Sequence, residues 1–461
     1  MATEFSLLSL PDDDLPNVLS FLTLKDVLRM RLACAHFREV IFESTHHLWM
    51  DGDGEEQTTT NYGRDASAMS ARRMRLLLSS FPKLRSLQLV GLRLAYQSLA
   101  QGSNGDSANP RYVCSLLQEA DCAQNLERLE LLAVSESQFG SGEWGAAAPP
   151  SYSLHTDIRL ERLRKLTIEG CFVHREIPLV HSLLRASHQI THLNLTGCAS
   201  LNDYDVEEGI MKPLASTLTH LNLSESGVQH PTIHSTIMNT LILRCCNGLR
   251  ALNQESFCPS LDALDLSCCL EFNGEGMLDV DSGLANICPR LGTLNLSNCE
   301  SLRFLRIKLH TTEKVDGFVG DGARGVTKSL SLGLSGPMAS ARLENIDLSN
   351  CVNLSNATIN GPLKKINLGE CLDLKVLSIS SPALEMLDLS CLPLMLVSLS
   401  CQSLLRLNLA KCRQLESKCS IIKCESLESV DIRGATYMAP EFFHNPNRKC
   451  NLLIHSDKQQ E

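Results

Sequence analysis

The chain has 461 residues, of which 43% are hydrophobic and 20% charged, and its formal net charge is -10 at pH 7. This length exceeds what one compact core usually holds, so we expect several domains or an elongated array of repeats. The hydrophobic content excludes a mainly disordered chain, and the acidic balance disfavours a nucleic acid or an anionic membrane as the partner.

The N-terminal residues are acidic, and their apolar part is too short for a signal peptide. No apolar run approaches the ~18 to 20 residues that span a membrane. We therefore expect a cytoplasmic and/or nuclear protein, in which the 20 cysteines stay reduced.

Residues 6–49 are predicted to form three short helices. The first has Asp12 to Asp14 in its opening turn, where acidic side chains are favoured, and Val18, Leu19 and Leu22 on one face. Three such helices in ~40 residues cannot enclose a core of their own. Their apolar surface therefore predicts a partner.

These residues resemble an F-box. The resemblance rests on Leu10-Pro11, V-L-S-F-L at 18–22, K-D-V-L at 25–28 and L-A-C-A-H-F-R-E-V at 32–40, with Leu48-Trp49 just after. Phe37 departs from the family, which usually carries tryptophan there. The resemblance implies that a Skp adaptor docks on Leu10, Pro11, Val18, Leu19, Leu22, Leu28, Leu32 and Phe37.

Residues 51–82 are expected to link the F-box to the next domain. Residues 51–65 are acidic and turn-forming, which predicts a solvated loop. The spacing of apolar residues from about Ser67 to Ser80 predicts an amphipathic helix.

An alternating motif recurs through residues 83–436, and its clearest copy is C-P-R-L-G-T-L-N-L-S-N-C at 288–299. In an extended segment Leu294 and Leu296 point to a buried side, and Thr293, Asn295 and Ser297 to a wet side. The central residue recurs at Leu87, Leu129, Leu166, Leu193, Leu221, Leu241, Leu264, Leu294, Ile346, Ile366, Leu387, Leu407 and Val430. With a degenerate copy at 330–334, the motif predicts about fourteen strands in a curved parallel sheet, and it resembles the leucine-rich-repeat pattern.

The repeat periods predict how the chain returns between strands. Periods of 27 and 28 residues from Leu166 to Leu221 leave room for a helix, whereas periods of 20 and 21 from Ile346 to Leu407 favour extended returns at 375–380 and 395–400. The predicted fold is therefore α/β: a three-helix F-box at 1–50 followed by a solenoid with a convex side that is helical in the middle and strand-like near the C-terminus. Loop insertions are expected near 101–110, 135–153 and 310–340, and a cap and polar tail at 437–461.

Eight of the cysteines share one position of the repeat, three residues after the last leucine of each strand. This position predicts thiols that bond to the backbone at the turn leaving the sheet, at Cys171, Cys198, Cys246, Cys269, Cys299, Cys351, Cys371 and Cys412. No Cys pair is joined to the second Cys or His pair that a tetrahedral zinc site needs, so no metal is expected. The C-P-x-L form at Cys258 and Cys288 resembles the cysteine-containing class of leucine-rich repeats.

No catalytic set can be assembled from the sequence. G-D-G-A-R-G at 320–325 matches a dinucleotide fingerprint, but no helix pattern follows it, which favours a flexible insertion. No nucleophile, base and orienting acid stand out, so we expect no enzymatic activity and no cofactor.

The wet side of the strands is the candidate binding surface for a protein segment. Its residues are His192, Asn194, His220, Asn222, Arg244, Asp265, Asn295, Asp347, Asn367, Asp388, Arg406, Asn408 and Asp431, with Lys365 and Arg433 flanking them. Two interpretations stay open: Asp and Asn are ordinary scaffold residues here, or they line a mildly acidic concave groove. The hormone or inositol phosphate of some plant F-box receptors would need a basic cluster, which this column lacks.

An F-box followed by such repeats resembles the substrate receptor of a Skp, cullin and F-box ubiquitin ligase. The resemblance implies binding to the Skp adaptor and, through it, to cullin and RING subunits, with a target protein held on the repeats and no nucleic acid or membrane partner. One alternative is a scaffold that works outside a ligase. Another is a ligase with its own catalytic cysteine after the repeats, for which the stretch around Cys450 leaves little room.

Overall fold

The computed structural model describes residues 47–51, 68–70, 78, 81, 83–90, 93–95, 117, 121–132, 135–137, 159–169, 177–274, 287–309, 331–334, 343–443 and 453–456. The predicted F-box helices, the loop predicted at 51–65 apart from its first residue, and the insertion at 101–110 lie outside these residues. The chain divides into two units, residues 1–200 and 201–461. Among the described residues, no helix is both long and apolar enough to cross a membrane.

Unit 1 is built on a parallel sheet of five strands, numbered in chain order. They are β1 (His47–Asp51), β3 (Ser86–Val90), β5 (Arg128–Leu132), β7 (Lys165–Glu169) and β8 (His192–Asn194). Successive strands pair in register, Leu48 with Leu87, then Leu129, Leu166 and Leu193. The parallel repeat is therefore confirmed, and it begins one strand earlier than the sequence indicated, at the residues just after the predicted F-box.

A second, three-stranded sheet of unit 1 corrects two expectations. It consists of β2 (Ala68–Ser70), β4 (Arg93–Ala95) and β6 (Ser135–Ser137). The predicted helix at Ser67–Ser80 is wrong at its start, because pairing with β4 outweighs the local helical spacing. The predicted loop at 135–153 is likewise wrong at its first residues, which form β6.

Unit 2 carries the longest run of repeats on what we call the front sheet. Its strands are β9 (His220–Asn222), β10 (Thr240–Ile242), β11 (Ala263–Asp265), β12 (Thr293–Asn295), β15 (Asn345–Asp347) and β17 (Lys365–Asn367), followed by β19 (Met386–Asp388), β21 (Arg406–Asn408), β23 (Ser429–Asp431) and β24 (Leu453–His455). Within each group the strands are parallel and in register. The last strand lies in the predicted cap and tail, so the repeat continues past residue 436.

The chain returns between front strands through a second parallel sheet, the back sheet. It contains β14 (Ser331–Leu334), β13 (Phe304–Leu309), β16 (Asn356–Asn360), β18 (Val376–Ser380), β20 (Leu396–Ser400) and β22 (Ser420–Ile422), in that order. The earlier returns are helical: α1 (Ile177–Arg185) in unit 1, and a π-helix (Asp205–Met211) leading into α2 (Lys212–Leu214) in unit 2. Short 3-10 helices lie at Asp121–Asn125, Ser417–Cys419 and Pro440–Phe443. The predicted change from helical to strand-like returns is confirmed.

The degenerate copy at 330–334 was assigned to the wrong sheet. Leu294 pairs directly with Ile346 in the front sheet, so no strand lies between them. Ser331–Leu334 pairs instead with Arg306–Leu309 in the back sheet. Both sheets bury alternate residues, so alternation alone cannot distinguish them.

The turns that leave most front strands repeat the same hydrogen bonds. The Asp or Asn at the strand end accepts the backbone N–H two residues on, as in Asp265 to Ser267 at 3.0 Å and Asp347 to Ser349 at 2.9 Å. The next residue is left-handed, with φ 60° at Cys268 and 57° at Asn350. Asp and Asn are favoured here because their side chains imitate a backbone turn.

One residue further along, six buried cysteines each link their turn to the preceding strand. The thiol donates to the carbonyl of the last leucine of that strand, at distances from 2.9 to 3.3 Å, in Cys246, Cys269, Cys299, Cys351, Cys371 and Cys412. Burial raises the pKa of the Cys351 and Cys412 thiols to about 12 and that of Cys371 to about 11. The predicted thiol-to-backbone bonding is confirmed for these residues; Cys171 lies outside the described ones.

Candidate partner-binding face

The side chains predicted to bind a partner lie on the outer side of the sheets, between buried leucines. His192 and Asn194 belong to β8 of unit 1, and the others belong to the front sheet of unit 2 or follow it directly. All of them are half-buried or exposed. We call the outer surface of the unit 2 strands the front face.

One oxygen of each front-face Asp or Asn serves the fold. Asn222, Asn295, Asn367, Asp388 and Asn408 accept a backbone N–H two residues later through Oδ1, at 2.9 to 3.1 Å. These side chains therefore stabilise the turns of the scaffold. Only the second side-chain atom, Oδ2 of Asp or Nδ2 of Asn, is left to contact a partner. Ser297, expected on the wet side, is 9% exposed because it already lies in the turn.

Charges on the front face fall into two groups. Arg244 approaches Asp265 at 3.9 Å and Arg433 contacts Asp431 at 2.6 Å. The hydrogen bonds from Arg433 lower the pKa of Asp431 below its usual range.

Four other charges on this face have no ion pair within the described part of the chain: Asp347, Lys365, Asp388 and Arg406. Each of the four lies on a different strand, and the strands β15, β17, β19 and β21 follow one another along the front sheet. They surround one interruption of the sheet.

The front sheet is interrupted between β17 and β19. On the preceding step Leu348 N–H donates to Asn367 at 2.9 Å and Asn350 to Gly369 at 2.8 Å; on the following step Leu389 donates to Asn408 at 2.8 Å. The equivalent bonds from Leu368 and Glu370 toward β19 are not formed, and β17 and β19 belong to separate sheets. The back sheet stays continuous here, because β18 pairs with both β16 and β20.

The interruption coincides with a change at the cysteine position. Leu392 stands where Cys371 and Cys412 stand on the neighbouring repeats, and the adjacent Cys391 is exposed. Leucine has no donor for the carbonyl of Leu368 and is larger than cysteine. The step therefore lacks the thiol bond and carries a larger side chain at this position, which is the local sequence change that coincides with the missing strand pairing.

Apolar surface is exposed at the interruption. The central residue of every other front strand is at most 7% exposed, but Ile366 is only half-buried. Met386, the first residue of β19, is 60% exposed. The sequence missed both residues as site candidates; the signal was leucine instead of cysteine at position 392.

No group of three or more His, Cys, Asp or Glu side chains suited to hold a metal ion occurs among the described residues.

The comparison with protein families finds an F-box domain at residues 7–45. This match agrees with the residues that carry the resemblance in the sequence.

Similarity to whole proteins is limited. The chain is 36% identical over 117 residues to a Tonsoku-like protein of Danio rerio, a match that covers 24% of this chain and 7% of that protein. Among solved structures, the complex of Rad7 and Elc1 from yeast has 13% identity and a TM-score of 0.29, covering 96% of this chain and 88% of that chain. The TLR13–ssRNA13 complex has 17% identity and a TM-score of 0.32, covering 82% and 55%.

TM-scores this low do not establish a shared fold, so the repeat fold rests on the strand pairing itself. That pairing joins one parallel strand per leucine motif, with a cysteine at the following turn. The chain thus combines an F-box domain at residues 7–45 with a parallel-strand repeat of the leucine-rich kind.

Proposed function

We propose that the protein is the substrate receptor of a ubiquitin ligase of the Skp, cullin and F-box type. The F-box at residues 7–45 docks on the Skp adaptor, which joins the protein to the cullin and RING subunits. The leucine-rich repeats bind the target protein. One observation carries the proposal: an F-box stands in the same chain as a long, polar sheet face.

The chain acts without catalysis of its own. Its contribution is to hold a target near the conjugating enzyme, which raises the effective concentration of the reacting groups. The described thiols on the repeats support this view, because most are buried and bonded to backbone carbonyls. We place the protein in the cytoplasm, the nucleus or both.

Adaptor docking is tested by co-purification. A Leu10→Ala, Pro11→Ala variant of the full chain should lose the Skp adaptor and cullin together. A Thr58→Ala, Thr59→Ala variant, altered outside the F-box, should retain both.

The same assay separates the proposal from the scaffold alternative. A scaffold acting outside a ligase would retain the adaptor but bring down no cullin. Equal recovery of adaptor and cullin with the Leu10→Ala, Pro11→Ala variant would refute docking through the F-box.

A further inference from the structure

We propose that the open step of the front sheet between β17 and β19 is a docking site for an extended peptide segment with an apolar side chain flanked by carboxylates. The inference deepens the proposed function, since it names the chemistry of the target segment. It concerns unit 2 alone.

The apolar part of the site is Met386, which is 60% exposed on a mostly polar face. On the neighbouring strand, Ile366 is the only described central residue of the front sheet that is not buried. Methionine is flexible and adapts to differently shaped apolar partners. One apolar side chain of a partner can therefore pack on Met386.

The charges beside Met386 favour carboxylates. Lys365, Met386 and Arg406 are the first residues of three successive strands, and Met386 pairs directly with Arg406 across β19 and β21, which as paired strands lie about 4.8 Å apart. Both cations are exposed, and neither has an ion pair within the described residues. A carboxylate on each side of the apolar residue would meet one of them.

The neighbouring acidic groups do not cancel this preference. Asp347 and Asp388 lie at the other ends of β15 and β19, two residues along the strand from the row that Lys365, Met386 and Arg406 share. Lys364, which precedes β17, is paired with Glu344 at 2.8 Å and so leaves Lys365 available. Glu370 and Glu385 lie beyond the strand ends, outside the row that Met386 occupies.

The backbone adds hydrogen-bonding capacity at the same place. Because the ladder stops, the N–H groups of Leu368 and Glu370 on one side, and the carbonyls of Asp388 and Ser390 on the other, make none of the bonds seen on adjacent steps. A peptide amide both donates and accepts, so it can serve both sides. An extended segment suits the opening better than a helix, whose amides are already paired.

The site is tested with a display library of random 12-residue peptides selected on the purified full chain in its adaptor complex. Wild type should enrich sequences in which acidic residues flank an apolar one. A Lys365→Glu, Arg406→Glu variant should retain such peptides about tenfold less, since two weak ion pairs become repulsive. An Arg413→Glu, Lys423→Glu variant has the same charge change at exposed positions away from the opening, and it should select as wild type does.

A second variant tests the opening itself. Leu392→Cys restores the Cys-Cys arrangement found at Cys245-Cys246 and Cys268-Cys269. It should restore the backbone hydrogen bonds between β17 and β19, slow hydrogen exchange at the Leu368 amide and abolish the peptide enrichment. Because the charge variant leaves Leu392 unchanged, it stays informative even if Leu392→Cys misfolds.

Three results would overturn the inference: no enrichment of acidic-apolar peptides with wild type, enrichment of basic peptides, or enrichment that survives the reversal of Lys365 and Arg406. None of them affects adaptor recovery, which depends on the F-box. Failure of this site and failure of the ligase role are therefore distinguished by the co-purification assay.

Discussion

Replacement of Cys351 by alanine tests whether the hydrogen bonds from buried thiols to backbone carbonyls stabilise the repeats. Cys351 is fully buried, and its thiol donates to the Leu296 carbonyl at 3.1 Å. Removing a buried group of about one methylene in size costs ~1 kcal/mol, and leaving a buried carbonyl without its donor costs about 1 kcal/mol more. We expect a loss of roughly 2 kcal/mol in the free energy of unfolding.

The assay is urea unfolding of the full chain followed by far-UV circular dichroism, with the midpoint compared at an unchanged m-value. Cys391→Ala is the matched control, because Cys391 is exposed and should cost less than about 0.5 kcal/mol. Cys351→Ser should lose less than the alanine variant, since Ser226 occupies the same repeat position with its hydroxyl. Equal urea midpoints for Cys351→Ala and Cys391→Ala would show that the thiol-to-carbonyl hydrogen bond does not stabilise the repeats.

Two further predictions follow from the thiols and from one ion pair. In the folded protein at pH 8, iodoacetamide should label the exposed Cys391 but not Cys258, because burial raises the pKa of the Cys258 thiol to about 11. Mass spectrometry of the digest measures the labelling of each cysteine. Early labelling of Cys258 would contradict the prediction. Arg433→Gln should cost about 0.5 kcal/mol at pH 7, because Asp431 loses the partner that lowers its pKa. A carboxyl group with a lowered pKa stabilises the fold above pH ~4 and stops doing so as the pH falls below that value, so urea midpoints of wild type and variant should converge at low pH; a constant difference would exclude the pair as its cause.

The repeat itself was predictable because its strand, buried side and turn each depend on residues at fixed, short spacings. Leu294 and Leu296 alternate with polar neighbours, and Cys299 follows at a fixed distance, so strand, buried side and turn are all encoded within twelve residues. The extended returns at 376–380 and 396–400 were likewise predictable from short periods and local alternation. In each case the relevant interactions lie within one repeat or join identical positions of adjacent repeats.

Features that depend on the choice of a pairing partner were not predictable in the same way. Ser331–Leu334 alternates as a front strand would, yet it pairs with β13 in the back sheet. Ala68–Ser70 lies in a helical pattern but pairs with β4. The interruption after β17 also escaped prediction, because Ile366 fits the leucine motif; only Leu392, 26 residues later, departs from it.

The central claim is that one chain couples adaptor docking to target binding. Its most direct test is proximity labelling in cells, comparing wild type with the Leu10→Ala, Pro11→Ala variant and measuring the abundance of each labelled protein. The account predicts a set of proteins labelled by both forms that is less abundant with wild type, with the difference removed when the proteasome is blocked. Labelled proteins of equal abundance in the two cell lines before the block would contradict it.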